Sequence, residues 1–169
     1  MIKKQLNKGY TFIEILLYIS ISTTVLLIIV VIFVILQQNR WRARARNEVD
    51  HQGAQVIQIL SQKIRSSRGI FTPSQGASGD ILTLTSFDIE KNPTVVELID
   101  DKLTLTEGSG ETIDMTNSRV EVSEVLFRNL SGDNTPGNVR IFLTLSHKNE
   151  IGLSELEYTK TFYGNACPR

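Results

Sequence analysis

Cysteine is almost missing from this sequence. Cys167 is the only one among 169 residues. A single cysteine excludes an intrachain disulfide, a cysteine-based zinc site and a dithiol redox pair. What remains for Cys167 is a free thiol, a disulfide with another chain, or a residue of no special role near a loosely ordered terminus.

Neither positive nor negative charge is in excess, since Lys+Arg and Asp+Glu both number 18. The net charge therefore gives no general argument for nucleic acid or for acidic partners. His51 and His147 are the only histidines, and neither has a cysteine or acid cluster at metal-ligand spacing. No nucleophile, base and orienting group are visible together. We therefore predict no enzyme, no cofactor and no metal site.

The sequence does contain one long apolar run. From Ile15 to Leu36 there are 22 residues without a charge. At about 1.5 Å per residue, a helix of this length covers a hydrocarbon core of about 30 Å. The run exceeds the apolar core of a signal peptide, about 7–15 residues, and no small-residue cleavage site follows it. We therefore predict a transmembrane helix bounded by Ile15 and Leu36.

Both flanks of this run are basic, so charge does not orient it. Three lysines precede it and four arginines follow it: Lys3, Lys4, Lys8, Arg40, Arg42, Arg44 and Arg46. The positive-inside rule counts the basic residues on both sides, and here they nearly balance. The side of the membrane on which the rest of the chain lies stays open at this point.

A second helical pattern follows the apolar run without a break. Residues 37–67 contain no proline and one glycine, and apolar residues recur at helical spacing: Val49, Val56, Ile57, Leu60 and Ile64. We predict one continuous helix of roughly 55 residues. It should end near Gly69, with Arg65 and Arg68 in its last turn, where cations suit the helix dipole.

The remainder has the two-residue period of β-strands. Alternation predicts strands at 81–84, 95–99, 103–106, 112–116, 120–127, 139–145 and about 156–162, with loops at 72–79 and 129–138. Asp100, Asp101 and Lys102 predict a tight turn, and a bulge is expected near Ser123 and Glu124. The order, a helix followed by strands, indicates an α+β fold with the helix packed on one face of an antiparallel sheet.

The basic cluster Arg40, Trp41, Arg42, Arg44 and Arg46 allows two interpretations. One is binding of DNA or of anionic lipid. The other is a solvated helix flank with Trp41 at the membrane interface, which the spread of the arginines around the helix favours. A calcium site at Asp133 and Asn134 is not predicted, because calcium needs about 6–8 oxygen ligands.

Glu14 is the most unusual residue of the N-terminal segment. It is an acid at the edge of the apolar run, where a carboxylate inside a bilayer costs roughly 2.5–3.5 kcal/mol. It either sits at the headgroup level, at a helix N-terminus that favours an anion, or it needs a partner.

The residues around Glu14 resemble the N-terminus of type IV prepilins and of the related pseudopilins of type II secretion. That family pattern is a short basic leader ending in glycine, an aromatic residue, and a glutamate at the fifth residue after the cut, followed by an apolar helix. Gly9 matches the last leader residue and Tyr10 the new N-terminus. Thr11 matches a frequent threonine, and residues 15–36 match the helix.

The resemblance implies a pilin-like fold in four parts: a leader (1–9), a filament-core helix (10–36), its amphipathic continuation (37–68) and a β-rich extracytoplasmic domain (69–169). A prepilin peptidase would cut between Gly9 and Tyr10 and methylate the amine of Tyr10. The N-terminus would lie in the cytoplasm and the helix in the inner membrane. An inner-membrane assembly platform and other pilin or pseudopilin subunits are the implied partners, besides membrane lipid; nucleic acid is less favoured.

In the filament that the resemblance implies, Glu14 would face the amine of a neighbouring subunit's Tyr10, which would give the acid its partner. Two departures point to a minor pilin or a pseudopilin: residues 10–36 lack proline, and the C-terminal cysteine pair of many major pilins is missing. The alternative is a signal-anchored membrane protein whose extracytoplasmic β-rich domain binds a ligand without joining a filament. An anchor of that kind has no need of Glu14.

Overall fold

The computed structural model describes residues 11–132, 137–149, 152 and 157–168. The chain divides into two compact units, residues 1–40 and 41–169. The division falls within a single helix, α1, which runs from Phe12 to Arg65.

Helix α1 changes character along its length. From Thr11 to Arg44 every residue is exposed. The buried residues of the helix begin at Ala45 and form one stripe: Ala45, Val49, Gly53, Val56, Leu60 and Ile64. Their spacing of three or four residues places them on one face, as expected for a helix that packs on a sheet. The apolar residues predicted for this face are therefore buried, except Ile57, which is half-buried against the same core.

Helix α1 ends four residues before the predicted position. The hydroxyl of Ser66 donates to the carbonyl of Lys63, and that of Ser67 donates to the carbonyl of Ile64 at 2.7 Å. Serine hydroxyls that bond to nearby carbonyls compete with continuation of a helix. The prediction of Gly69 as the end was wrong for this reason, and Arg68 lies in the first strand instead of the last helical turn.

The strands begin directly after the helix. Their bounds are β1 Ser67–Thr72, β2 Ser78–Gly79, β3 Leu82–Ser86, β4 Thr94–Ile99, β5 Lys102–Glu107, β6 Ile113–Asp114, β7 Val120–Asn129, β8 Val139–His147 and β9 Thr159–Ala166. A short 3₁₀ helix, Ile89–Lys91, lies between β3 and β4. The fold class α+β is confirmed by this order of one long helix and antiparallel strands.

The strands form two antiparallel sheets, whereas one sheet was predicted. The first has the order β1-β3-β4-β5-β6 and the second β2-β7-β8-β9. Alternating hydrophobicity identifies a strand but not its partner, so the sequence pattern did not separate the two sheets. Within the second sheet, the register of β7 and β8 shifts between Val122 and Glu124, where a bulge was predicted.

One hydrophobic core joins the helix to both sheets. It contains the buried stripe of α1 together with apolar side chains of each sheet, for example Leu84 and Leu103 from the first and Phe127 and Leu143 from the second. Each of these four residues is at most 1% exposed. Residues 41–169 therefore hold their own core, formed by burial of apolar surface and without a disulfide.

Candidate functional site

The predicted processing site lies outside the described residues. Gly9 and Tyr10 both belong to the part of the chain for which no placement is given. The cleavage and methylation inferred for them therefore rest on the sequence.

Glu14 lies in the first turn of α1. The carbonyl of Thr11 accepts from the backbone N–H of Glu14 at 3.0 Å and from that of Ile15 at 3.2 Å, so Thr11 precedes the helix as its cap residue. Within the described part of the chain, the Glu14 carboxylate has no hydrogen bond and no ion pair. An acid in a first turn suits the helix dipole, but its carboxylate oxygens are left without a protein partner.

Thr11 and Glu14 also have the spacing of a capping box, in which the side chains of a threonine and of a glutamate three residues later bond to each other's backbone N–H. A capping box would give Glu14 a local role that needs no second subunit, but the structure shows only the backbone hydrogen bond from Glu14 to Thr11. A glutamine retains that capping role but has no charge, so Glu14→Gln separates the two explanations.

The predicted transmembrane residues are exposed on every side of the helix. The large apolar side chains between Ile15 and Leu36 are all 47–60% exposed, so no face is covered by the rest of the unit. The segment has a mean hydropathy of 3.1, and it is long and apolar enough to cross a membrane. Signal sequences and the core helices of soluble proteins can be equally long and apolar, so length and hydropathy alone do not identify a membrane span.

Two hydroxyls in this segment bond within the helix. Thr23 donates to the carbonyl of Ile19 at 2.7 Å, and Thr24 donates to the carbonyl of Ser20 at 2.9 Å. Polar groups that are satisfied within the segment lower the cost of surrounding it with hydrocarbon. The two threonines are therefore compatible with a bilayer or with a core of packed helices.

The basic cluster lies where α1 enters the second unit. Trp41, Arg42, Arg44 and Arg46 are all exposed. The guanidinium carbon of Arg44 lies 5.7 Å from the centroid of the Trp41 ring, and that of Arg46 lies 5.3 Å from the Tyr158 ring. Both distances are in the range of cation–π contacts.

Polar contacts fix the amphipathic part of the helix to the strands. Glu48 accepts a hydrogen bond from Asn117 at 2.5 Å and lies 3.7 Å from Arg119. Lys160 on β9 lies 2.6 Å from Asp50, and this hydrogen bond is the main cause that raises the pKa of Lys160 above 10.5.

At the other end of this part of the helix, Lys63 pairs with Glu107 on β5. These exposed or half-exposed pairs orient the helix more than they stabilise it.

The other candidate residues do not come together as a reactive group. His51 is exposed on α1, whereas His147 lies on β8 with a buried Nδ1 that has no hydrogen-bond partner. Among the described residues, no three histidine, cysteine or acidic side chains lie close enough to hold a metal. Asp133 and Asn134 lie outside the described residues.

Cys167 is exposed beside a surface depression of about 660 Å³. The depression is lined by Gln62, Arg65, Ser66, Phe87, Asn165, Ala166 and Cys167. The neighbouring loop exposes two large apolar side chains, Phe87 at 66% and Ile89 at 90%. Sequence reasoning missed this apolar loop, because two isolated apolar residues in a turn region have no periodicity to detect.

Comparison with known proteins gives no match: no family model, curated protein or solved structure matches this chain. The resemblance to prepilins therefore stays a prediction that rests on the N-terminal residues.

Proposed function

We propose that this chain is a type IV pilin-like subunit, a minor pilin or a pseudopilin, that assembles through the N-terminal part of α1. The observation that carries the proposal is the combination at the start of the helix. Twenty-two uncharged residues are exposed on all sides, and directly before them stands the carboxylate of Glu14, which has no hydrogen bond or ion pair to the residues that the structure describes.

The exposed apolar helix needs apolar surroundings. Burial of apolar surface is worth roughly 25 cal/mol per Å², so this helix in water would aggregate. A bilayer supplies such surroundings to a single chain, and packed helices of other subunits supply them to an assembled one. A helix that is apolar all round suits both surroundings.

Glu14 distinguishes an assembling helix from a simple anchor. A carboxylate at the edge of the bilayer is tolerated there, but within a bundle of helices it needs a cation. The methylated amine of Tyr10 in a neighbouring subunit is the cation that the resemblance implies. That pair would fix the axial register between two otherwise uniform apolar helices.

In this proposal the leader stays in the cytoplasm, α1 crosses the inner membrane, and residues 41–169 lie outside it. The partners are the prepilin peptidase, the assembly platform, membrane lipid and other pilin or pseudopilin subunits. Residues 41–169 act as a structural and interaction domain without catalysis. The absence of proline from residues 10–36 supports a minor subunit or a pseudopilin.

Processing is tested by intact-mass analysis of the chain after coexpression with a prepilin peptidase. We expect loss of the first nine residues and the addition of one methyl group to Tyr10. The matched control is the Gly9→Leu variant, which should keep its leader because a side chain obstructs close approach to the backbone. An unprocessed wild-type chain would leave only the signal-anchored alternative.

Assembly is tested with Glu14→Gln, which keeps the size and the hydrogen-bonding capacity of the side chain and removes its charge. We expect normal amounts in the membrane fraction but a more than tenfold loss from sheared filaments, because a buried amine without its partner costs about 3–5 kcal/mol. Immunoblots of the two fractions measure both quantities.

The matched control for this experiment is Glu124→Gln, which removes an exposed carboxylate from β7. It should leave incorporation unchanged. Normal incorporation of Glu14→Gln would show that Glu14 serves only as a helix cap.

A further inference from the structure

The basic cluster at the start of the second unit has no role in the proposed assembly. We define the arginine collar as Trp41, Arg42, Arg44 and Arg46, all exposed on α1. At 100° per residue, Arg42 and Arg46 lie in one row and Arg44 points to nearly the opposite side. The collar therefore presents guanidinium groups on two opposite sides of the helix.

The collar carries charge that the described chain does not neutralise. The sequence contains no acid between Glu14 and Glu48. No collar arginine forms an ion pair within the described residues, and the nearest acids in the sequence, Glu48 and Asp50, are engaged with Arg119 and Lys160. Among the residues that the structure describes, the guanidinium groups are therefore left available to an external anion.

Aromatic rings hold two of these arginines without neutralising them. Trp41 lies under Arg44, and Tyr158 lies under Arg46. A ring contacts the face of a guanidinium and leaves the N–H groups at its edge free to donate to an anion, and phosphate accepts two of them at once. The ring contacts thus confine Arg44 and Arg46 to conformations in which their guanidinium groups can bind phosphate.

The collar lies at the distance of lipid headgroups from the apolar run. Arg42 follows Leu36 by six residues and Arg44 by eight, which at 1.5 Å per residue is about 9 and 12 Å along the helix. The headgroup layer of one leaflet is roughly 5–8 Å thick. Side chains on a helix lean towards its N-terminus, and long arginines extend further in that direction, so the guanidinium groups reach this layer.

We infer that the arginine collar binds the headgroup phosphates of anionic phospholipid in the leaflet next to residues 41–169. The arrangement around the helix favours lipid over nucleic acid. Lipid surrounds a membrane helix on all sides and can contact Arg42 and Arg44 together, whereas a duplex contacts one side of a helix. This inference requires α1 to cross a bilayer but does not require assembly into a filament.

The test uses Trp41 as the reporter, because it is the only tryptophan of the chain. The full-length chain is reconstituted at low density, without a peptidase, in vesicles of equal parts phosphatidylglycerol and phosphatidylcholine. Bromine, which quenches tryptophan on contact, is placed on the acyl chains of one lipid or of the other. We expect bromine on phosphatidylglycerol to quench Trp41 about twofold more strongly, since each arginine near an anionic surface attracts it by up to about fivefold.

The Arg42→Gln/Arg44→Gln variant should move this quenching ratio clearly towards one, because it removes two of the collar's three arginines. The matched control is Arg128→Gln/Arg140→Gln, which removes two exposed arginines that face each other on β7 and β8. The control should keep the wild-type ratio. Higher salt should lower the ratio of the wild type, because it screens exposed charges.

Three results would overturn the inference. Equal quenching by both lipids would show no preference for the anionic headgroup, and an unchanged ratio in the collar variant would assign a preference to other residues. Quenching by neither lipid would show that Trp41 does not lie at the bilayer. Binding of a labelled DNA duplex by the detergent-solubilised chain, lost in the collar variant and combined with equal lipid quenching, would assign the collar to nucleic acid.

Discussion

The two parts of helix α1 use apolar residues in opposite ways. Before Arg40 the large apolar side chains are exposed on every side, whereas after Trp41 they form one buried stripe beneath two sheets. Both parts belong to one α-helix, but the first is apolar all round and the second is amphipathic. Among the described residues, the chain supplies a covering surface only for the second part.

This difference separates what the chain stabilises alone from what it requires of its surroundings. Residues 41–169 bury their stripe in a core of their own, so their stability should be a property of the single chain. The part before Arg40 has no such core, and its free energy depends on the medium around it. Mutations in the two parts should therefore affect different measurements.

The largest expected effect comes from Leu60→Ala, at a position that is completely buried between the helix and the sheets. We expect a loss of about 2–5 kcal/mol in the free energy of unfolding of residues 41–169, because the substitution removes apolar contacts and leaves a cavity. Pulse proteolysis across a urea series, with the full chain in mild detergent, measures it. Leu27→Ala is the matched control in the exposed part and should change the free energy of unfolding by less than about 0.5 kcal/mol.

A similar loss of unfolding free energy in Leu27→Ala would contradict the distinction between the exposed and the buried part of α1. It would mean that the exposed part of the helix has a partner within the same chain after all.

A smaller effect is expected at Gly53, the buried glycine of the stripe. A Cβ added there would overlap the ring of Phe162 on β9. Gly53→Ala should therefore lower the free energy of unfolding by about 1 kcal/mol, since an overpacking cost of about 1–3 kcal/mol exceeds a gain of about 1 kcal/mol in helix propensity. The same urea series measures this.

The effect of Gly53→Ala on the free energy of unfolding should change sign once the ring of Phe162 is removed. In a Phe162→Ala background, Gly53→Ala should stabilise the domain by up to about 1 kcal/mol, because only the propensity gain remains. A loss of similar size in both backgrounds would show that the ring does not determine the need for glycine.

The smallest expected effect concerns Lys160, whose pKa is raised mainly by its hydrogen bond to Asp50. A pKa above the unfolded value means that the charged lysine stabilises the fold at pH values below 10.5 and that this contribution disappears as the pH rises further. The wild type should therefore lose slightly more stability than Asp50→Asn between neutral pH and a pH above 10.5. If the free energy of unfolding changed equally with pH in both proteins, the pair of Lys160 and Asp50 would not be stabilising.

The sequence predicted much of the helix and less of the sheets. Val49, Val56, Leu60 and Ile64 could be placed on the buried face because their spacing repeats. Ala45 and Gly53 were missed there, since small residues contribute little to a hydrophobic pattern even where close packing requires them. The division into two sheets depends on pairs such as β2 with β7, which are distant in the sequence and leave no local signal.

For the candidate site, most of the assignments come from the sequence and few from the structure. Gly9, Tyr10 and Glu14 were proposed from a resemblance in the N-terminal sequence, and the structure adds only that Glu14 lies in the first helical turn without a hydrogen bond or ion pair to another described residue. The aromatic support of Arg46 could not be predicted, because Tyr158 is more than a hundred residues away in the sequence. A motif in neighbouring residues can be recognised in the sequence, whereas contacts between residues far apart in the sequence need coordinates.

The continuity of α1 has a mechanical consequence for any fibre built from it. A helix broken by proline can lengthen under tension by uncoiling at the break, where backbone hydrogen bonds are already lost. From Phe12 to Arg65 this helix contains no proline, and its only glycine, Gly53, is enclosed by the domain core. In the proposed filament, a pulling force would therefore find no proline break at which α1 uncoils, and we expect subunits to slide past one another first.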